Sequence, residues 1–189
     1  MPAPLIRAKA PLRVSFGGGG TDIASYFEEH GGAVISATID KWAYGTLIQR
    51  PGREITVRSL DFDIVARFQG TEQFTFDGNL DLVKAVLKNF TPDQGIDLFL
   101  HSEAPPGSGL GSSSTMVVAL IGLFKHFKSL PLTDYDVAEL AYKIERQDLG
   151  IAGGKQDQYA ATFGGFNFIE FQKGTTVVNP LRLRQSVLN

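Results

Sequence analysis

Three glycines at alternate positions, Gly107, Gly109 and Gly111, sit in the run Pro-Pro-Gly-Ser-Gly-Leu-Gly-Ser-Ser-Ser-Thr from Pro105 to Thr115. The run ends a predicted strand and opens a strongly apolar helical stretch. Glycine reaches backbone conformations closed to residues with a Cβ and lets a ligand approach the main chain. Successive amides can then point inward, and the following helix adds unpaired N–H groups and a positive dipole end of about half a charge. Ser112, Ser113, Ser114 and Thr115 add hydroxyls, so the chemistry to expect is the holding of a polyphosphate. Two familiar phosphate motifs do not fit. The dinucleotide fingerprint needs Gly-x-Gly-x-x-Gly and a following acidic residue, and Gly154-Lys155 is followed by Gln156 where a P-loop carries Ser or Thr.

Carboxylates and cations accompany the loop on both sides. Glu145 falls at the edge of an apolar helical stripe, a place from which a side chain can face a cleft, though a solvated helix glutamate has the same spacing. Asp157 follows twelve positions later, with a glycine turn between. Lys155 reads either as a charge near Asp157 or as a solvated helix-start lysine. Arg13 precedes the run Gly17-Gly18-Gly19-Gly20-Thr21-Asp22, in which Asp22 reads either as a ligand of hydroxyl groups or as a helix cap. Arg146 lies on the far side of its helix by spacing and reads as surface, as does Asp148.

Composition narrows the class. The 189 residues include 18 Lys plus Arg against 20 Asp plus Glu, a net charge of −2, which lacks the electrostatic footprint of a nucleic-acid binder. Small-molecule partners are expected instead. No cysteine is present and the three histidines, His30, His101 and His126, are scattered, which excludes a thiolate metal site and argues against zinc. The start of the chain lacks the apolar centre of a signal peptide, and Met116 to Phe124 is too short to span a bilayer, so a cytoplasmic protein with no membrane partner is expected.

The elements that must position these residues follow from periodicity. Ile6 to Phe16 reads as a strand interrupted by Pro11, and Ile23 to Glu29 as a helix capped by Thr21 or Asp22 and stopped at Gly31-Gly32. Ala33 to Ile39 and Tyr44 to Arg50 read as strands. Pro51-Gly52 has the residues of a type II turn, which predicts a hairpin of Tyr44 to Arg50 with Glu54 to Ser59. Ile64 to Phe68 adds a strand, Leu80 to Phe90 a helix, and Gly95 to Ser102 a strand. After the loop, apolar residues on every face from Met116 to Phe124 predict a central, buried helix. Thr133 and Asp136 form a capping-box pair before a helix whose stripe is Val137, Leu140, Ala141 and Ile144. Lys155 to Phe163 reads as a helix, and Phe166 to Phe171 with Thr175 to Val178 as a hairpin.

Three stretches together carry a family resemblance: Lys9 to Asp22, the glycine loop, and Ile144 to Gly150 with Gly153 to Tyr159. They resemble the GHMP sugar and metabolite kinases over about Arg7 to Phe171, and within them the branch that phosphorylates heptose 7-phosphate, with fucose kinases as relatives. Gly17 to Asp22 stands where galactokinases carry Gly-Glu-His, which points away from galactose. The resemblance implies an α+β fold, a two-layer mixed sheet with helices. It implies an N-terminal, ATP- and substrate-binding domain over residues 1–180, with 181–189 starting a further C-terminal domain.

The implied activity is ATP- and Mg²⁺-dependent phosphorylation of a sugar hydroxyl, foremost C1 of D-glycero-D-manno-heptose 7-phosphate. Fucose or another free sugar is the alternative, and a non-catalytic nucleotide-binding fragment is a third. By the same resemblance Gly107, Ser108, Gly109, Leu110, Gly111, Ser112 and Ser113 hold ATP, and Ser113 with Glu145 holds the metal. A plain helix cap is the competing role for Ser113. Asp157 accepts or orients the hydroxyl proton with Lys155 beside it, and Arg13, Gly19, Gly20 and Asp22 bind the sugar or sugar phosphate. A homodimer is possible.

Overall fold

The computed structural model describes residues 5–105, 107–184 and 186. Pro106 of the glycine loop, the first four residues, and residues 185 and 187–189 of the expected start of a further domain lie outside them. Alternating burial along the strands marks a sheet with one face turned to a core. The elements are β1 (Leu5–Gly17), α1 (Ala24–His30), β2 (Gly32–Arg50), β3 (Ile55–Ser59), β4 (Ile64–Phe68), α2 (Asp81–Phe90), β5 (Gly95–Ser102), α3 (Ser112–Phe127), α4 (Asp134–Lys143), α5 (Gln156–Phe163), β6 (Phe166–Gln172) and β7 (Thr175–Pro180). Short helical turns cover Thr71–Gln73 and, with π geometry, Ile144–Asp148.

The sheet runs β4-β3-β5-β2-β6-β7, and β1 pairs with β2. All pairings are antiparallel except β3 with β5, which makes the sheet mixed. The expected α+β class with helices against a mixed sheet is what forms. The strand β2 is its spine. Its first half takes β6 and its second half β5, while β1 pairs along both halves through a register shift between Pro11 and Arg13. The expected break between Ala33–Ile39 and Tyr44–Arg50 is therefore absent, because partners on both halves keep the backbone extended.

The hairpin across Pro51-Gly52 does not form. Here β5 inserts between β2 and β3, with the Gly95 amide donating to the Gly52 carbonyl at 2.7 Å and the Ile96 amide to the Glu54 carbonyl at 3.0 Å. The turn residues do reverse the chain, but the reversal delivers β3 to the far side of β5. The local hairpin is instead β3 with β4. The cap expected at Thr21 or Asp22 is also displaced: the residue before α1 is Ile23, which makes no side-chain cap, and both polar residues are committed elsewhere.

The core is built on α3. Val117, Leu120, Ile121, Leu123 and Phe124 are fully buried, each contributing about 1.5–3 kcal/mol of apolar burial. Such a helix cannot slide or tilt without opening the core, so its N-terminus, where the glycine loop ends, is held firmly. The capping box at Thr133 forms as expected, both of its hydrogen bonds being present. A second cluster around Phe27, Tyr159, Ile169 and Phe171 joins α1, α5 and the β6–β7 hairpin. Among the described residues no helix is long and apolar enough to cross a membrane.

Candidate active site

The glycine loop has the expected backbone. Gly107, Gly109 and Gly111 take φ of +78°, +74° and +73°, left-handed conformations that residues with a Cβ avoid. Gly111 is the residue before α3, so the sixteen-residue helix begins at Ser112 with its first amides facing the loop. A Cβ on Gly111 would lie 3.2 Å from the Asp157 carboxyl and 3.5 Å from the Arg13 guanidinium, so loop, aspartate and arginine meet at one point.

Arg13 ties that point together. Its Nε and Nη2 donate to Asp157 Oδ1 at 2.8 and 2.5 Å, and its Nη1 donates to the Gly109 carbonyl at 2.7 Å. The Arg13 amide also donates to the Leu110 carbonyl at 3.2 Å. The guanidinium takes Asp157 by one oxygen, which leaves Oδ2 unengaged by Arg13 and on the side of Gly111. Their side chains are 10% and 20% exposed, so the pair lies mostly out of solvent yet Asp157 remains reachable.

Glu145 reaches the site through the π turn. α4 runs into Ile144–Asp148 without a break, and the wider turn rotates the side chains relative to a continuous α-helix. Glu145 is thereby buried at 2% exposure. Burial holds its carboxyl above the ordinary glutamate range, opposed by the charge of Arg146 and by the hydrogen bond from Ser114. Arg146 is not a surface residue. Its Nη1 donates to Glu145 Oε2 at 3.2 Å, and Nε and Nη2 donate to the Gly154 carbonyl at 3.3 and 3.2 Å. Adjacent helical positions point about 100° apart, and the long Arg146 side chain turns back over that angle to reach Glu145 and the Gly154 carbonyl.

The serines divide differently from the expectation. Ser114 is buried and donates to Glu145 Oε2 at 2.8 Å, whereas Ser113 is exposed and lines a neighbouring cavity with Ser112. Among the described residues no hydrogen bond joins Ser113 to Glu145. The cavity, of about 400 Å³, lies between the β3–β4 connection and the start of α2; Asp61, Phe62, Leu80 and Met116 are among its walls. None of these residues carries a signal in the sequence, because the wall combines segments far apart in the chain.

Lys155 does not stand beside Asp157. Its ammonium donates to Glu139 Oε1 at 2.6 Å and lies over the rings of Tyr142, Phe27 and Tyr159 at 4.7, 5.7 and 5.8 Å. Tyr159 donates to the same Glu139 oxygen, and burial raises its hydroxyl pKa. The cation beside Asp157 is Arg13. Asp22 is buried and accepts from the Gly20 amide at 3.0 Å and the Gln156 amide at 3.1 Å, so it bonds the start of α5 rather than that of α1. The Lys155 amide donates to the Asp22 carbonyl at 3.1 Å. A Cβ on Gly154 would fall 1.9 Å from Asp22 Oδ2, which accounts for the glycine there. Gly19 and Gly20 are exposed in the turn that Asp22 anchors, and Gly19 lies near the Gln156 side chain.

A glycine loop feeding a buried helix, an aspartate and an arginine at the loop, and a sunken glutamate bonded to the first turn of that helix are groups that could hold a phosphate. The model of the GHMP kinases N terminal domain matches residues 80–165, a span from the start of α2 to the end of α5. The chain is 46% identical over 185 residues to the D-glycero-alpha-D-manno-heptose 7-phosphate kinase of Campylobacter jejuni subsp. jejuni serotype O:2, covering 95% of this chain and 55% of that protein.

A crystal structure of a D-glycero-D-manno-heptose 1-phosphate kinase from Bacteriodes thetaiotaomicron superposes with a TM-score of 0.91 at 41% identity, covering 96% of this chain and 61% of that one. The L-fucokinase/L-fucose-1-P guanylyltransferase of Bacteroides fragilis is 26% identical over 197 residues, 90% of this chain and 21% of that protein. Residues 80–165 thus resemble the N-terminal domain of the GHMP kinases, and the similarity to heptose-phosphate kinases runs over nearly the whole of this chain. The chain spans somewhat over half the length of the heptose-phosphate kinases it matches.

Proposed function

We propose that the chain is the ATP- and substrate-binding part of a sugar kinase that phosphorylates the C1 hydroxyl of D-glycero-D-manno-heptose 7-phosphate. The observation that carries the reading is the meeting of Gly111, Arg13 and Asp157 at the start of α3, with Glu145 and the cavity beside it. The 46% identity to a heptose 7-phosphate kinase supports the choice of sugar. The similarity to the fucokinase-containing protein keeps free fucose as the alternative acceptor.

In this reading the loop amides from Gly107 to Ser113 and the dipole of α3 hold the phosphates of ATP, and the apolar cavity beside Ser112 and Ser113 takes the nucleoside. Asp157 accepts a hydrogen bond from the sugar hydroxyl and then its proton. The hydroxyl oxygen forms a bond to the γ-phosphorus while the bond from that phosphorus to the bridging oxygen breaks, and ADP leaves. Arg13 holds Asp157 in place through two hydrogen bonds to Oδ1. Such transfers depend chiefly on positioning and charge stabilisation.

Mg²⁺ fits the donors present. Glu145 Oε1 is buried without a hydrogen-bond partner, the Ser114 hydroxyl bonds the other oxygen of the same carboxylate, and no cluster of three His, Cys, Asp or Glu exists among the described residues to attract another metal. Mg²⁺ needs few protein oxygens because waters and phosphates complete its shell. Glu145 and a serine hydroxyl would hold it, and it would neutralise charge on the phosphates. Gly19, Gly20 and the neighbouring turn form the sugar side of the site, with Asp22 bracing that turn.

The test is ADP release with Mg-ATP across heptose 7-phosphate, fucose, mannose and galactose. Release that depends on heptose 7-phosphate and is lost in Asp157→Ala supports the kinase and its substrate. Release with fucose alone selects the alternative acceptor. Nucleotide binding without release for any sugar selects the non-catalytic fragment.

A further inference from the structure

The first turns of α3 and α5 face each other across Glu145. Gln158 Nε2 donates to Ser114 Oγ at 3.1 Å, and Ser114 Oγ donates to Glu145 Oε2 at 2.8 Å. Arg146 Nη1 reaches the same oxygen at 3.2 Å. Gln158, Ser114 and Glu145 are 0%, 3% and 2% exposed, so this chain of hydrogen bonds lies inside the domain. It is one-sided. Glu145 Oε2 receives both donors, while Oε1 has none and is itself buried.

A buried carboxylate serving only packing would have both oxygens paired, since an unsatisfied buried acceptor costs about 1–3 kcal/mol. Two donors converging on one oxygen do something else: they set the plane and direction of the carboxylate and leave the second oxygen for another partner. We infer that Gln158 and Ser114 are positioning residues that hold Glu145 by Oε2 and present Oε1 to a divalent cation. The inference rests on the kinase reading above, and it gives the third serine of the loop a role separate from that of Ser112 and Ser113 on the cavity side. It also gives neighbouring residues of α5 distinct tasks, Asp157 toward the acceptor hydroxyl and Gln158 toward the metal carboxylate.

The test uses Mn²⁺ as the probe, titrated by electron paramagnetic resonance into the chain with a non-hydrolysable ATP analogue bearing an imido β–γ bridge. Gln158→Met keeps the length of the side chain and removes its donor, and Ser114→Ala removes the relay hydroxyl. Each should weaken Mn²⁺ binding about 10- to 100-fold, the usual effect of losing a group that orients a metal ligand. Thermal unfolding is followed in parallel, because a purely structural role would lower stability and leave the Mn²⁺ affinity of the folded protein unchanged. A folded Gln158→Met protein that binds Mn²⁺ like the wild type overturns the inference. Should that variant not fold, Ser114→Ala decides by the same criterion. If the wild type itself takes no Mn²⁺ with the analogue, it is the kinase reading that fails.

Discussion

Replacing Gly111 with alanine separates two effects that the glycine loop combines. All three loop glycines hold φ between +73° and +78°, so an alanine at any of them should cost about 1–2 kcal/mol of left-handed strain. Their surroundings differ. A Cβ at Gly107 or Gly109 meets nothing within 4 Å, whereas one at Gly111 meets the Asp157 carboxyl at 3.2 Å, closer than ordinary van der Waals contact. The carboxylate must then retreat by a few tenths of an ångström, against its bonds to Arg13. Misplacing a reacting group by about 1 Å costs on the order of 100-fold in rate, so this smaller shift should cost about tenfold.

Gly107→Ala and Gly109→Ala should therefore lower Tm by about 2–8 °C with turnover of the folded protein reduced only through weaker nucleotide binding. Gly111→Ala should match them in Tm and lose about a further tenfold in kcat. Thermal unfolding and ADP release at saturating Mg-ATP measure the two quantities. A Gly111→Ala protein indistinguishable from Gly109→Ala in both would refute the placement of Asp157 against the loop. Gly109→Val, which adds a branched side chain on the open side where phosphate must approach, should block nucleotide binding.

Asp157→Ala should abolish turnover and leave Mg-ATP affinity nearly unchanged in an isothermal titration; normal turnover would remove Asp157 from the mechanism. Glu145→Gln should stabilise the metal-free protein at neutral pH while weakening its hold on Mg²⁺. The folded-state pKa of Glu145 is raised from 4.5, so the folded form keeps its proton longer than the unfolded chain, and stability falls as pH rises from 4.5 through the raised value. Urea unfolding between pH 4 and 8 should show a slope that the variant loses, and an unchanged slope would place the buried charge elsewhere. Lys155→Met should lower stability by about 1–2 kcal/mol, since it removes an ammonium held by aromatic faces and by a half-exposed Glu139. Its kcat should stay at the wild-type level. A loss of 100-fold or more with stability kept would return Lys155 to the catalytic group.

The elements whose information is local are legible in the amino-acid sequence alone. Alternate glycines announce the loop, an all-round apolar run announces α3, and Thr133 with Asp136 announces the start of α4. The phosphate loop can be named because residue type and spacing carry it, and the candidates Glu145 and Asp157 because the stretches around them resemble the GHMP kinases. Pairing across the sheet cannot be read in the same way. Pro51-Gly52 marks a reversal whether its strands pair or a third strand enters between them, and only the burial available to β5 decides.

The partners of the charged residues depend on the tertiary structure for the same reason. Arg13 and Asp157 are 144 positions apart, and nothing in either segment states that one guanidinium will serve both the aspartate and the Gly109 carbonyl. Lys155, two positions from Asp157, is the nearer cation along the chain, but the rings of Tyr142, Phe27 and Tyr159 and the carboxylate of Glu139 draw its side chain away. The Arg146 side chain turns inward onto Glu145, and the packing of α3 against that segment sets Ser114, rather than Ser113, beside the carboxylate. Sequence by itself determines which groups are present and where the backbone must bend. Which oxygen faces which donor is decided by packing, because a few tenths of an ångström between helices settle it and no pattern along the chain records them.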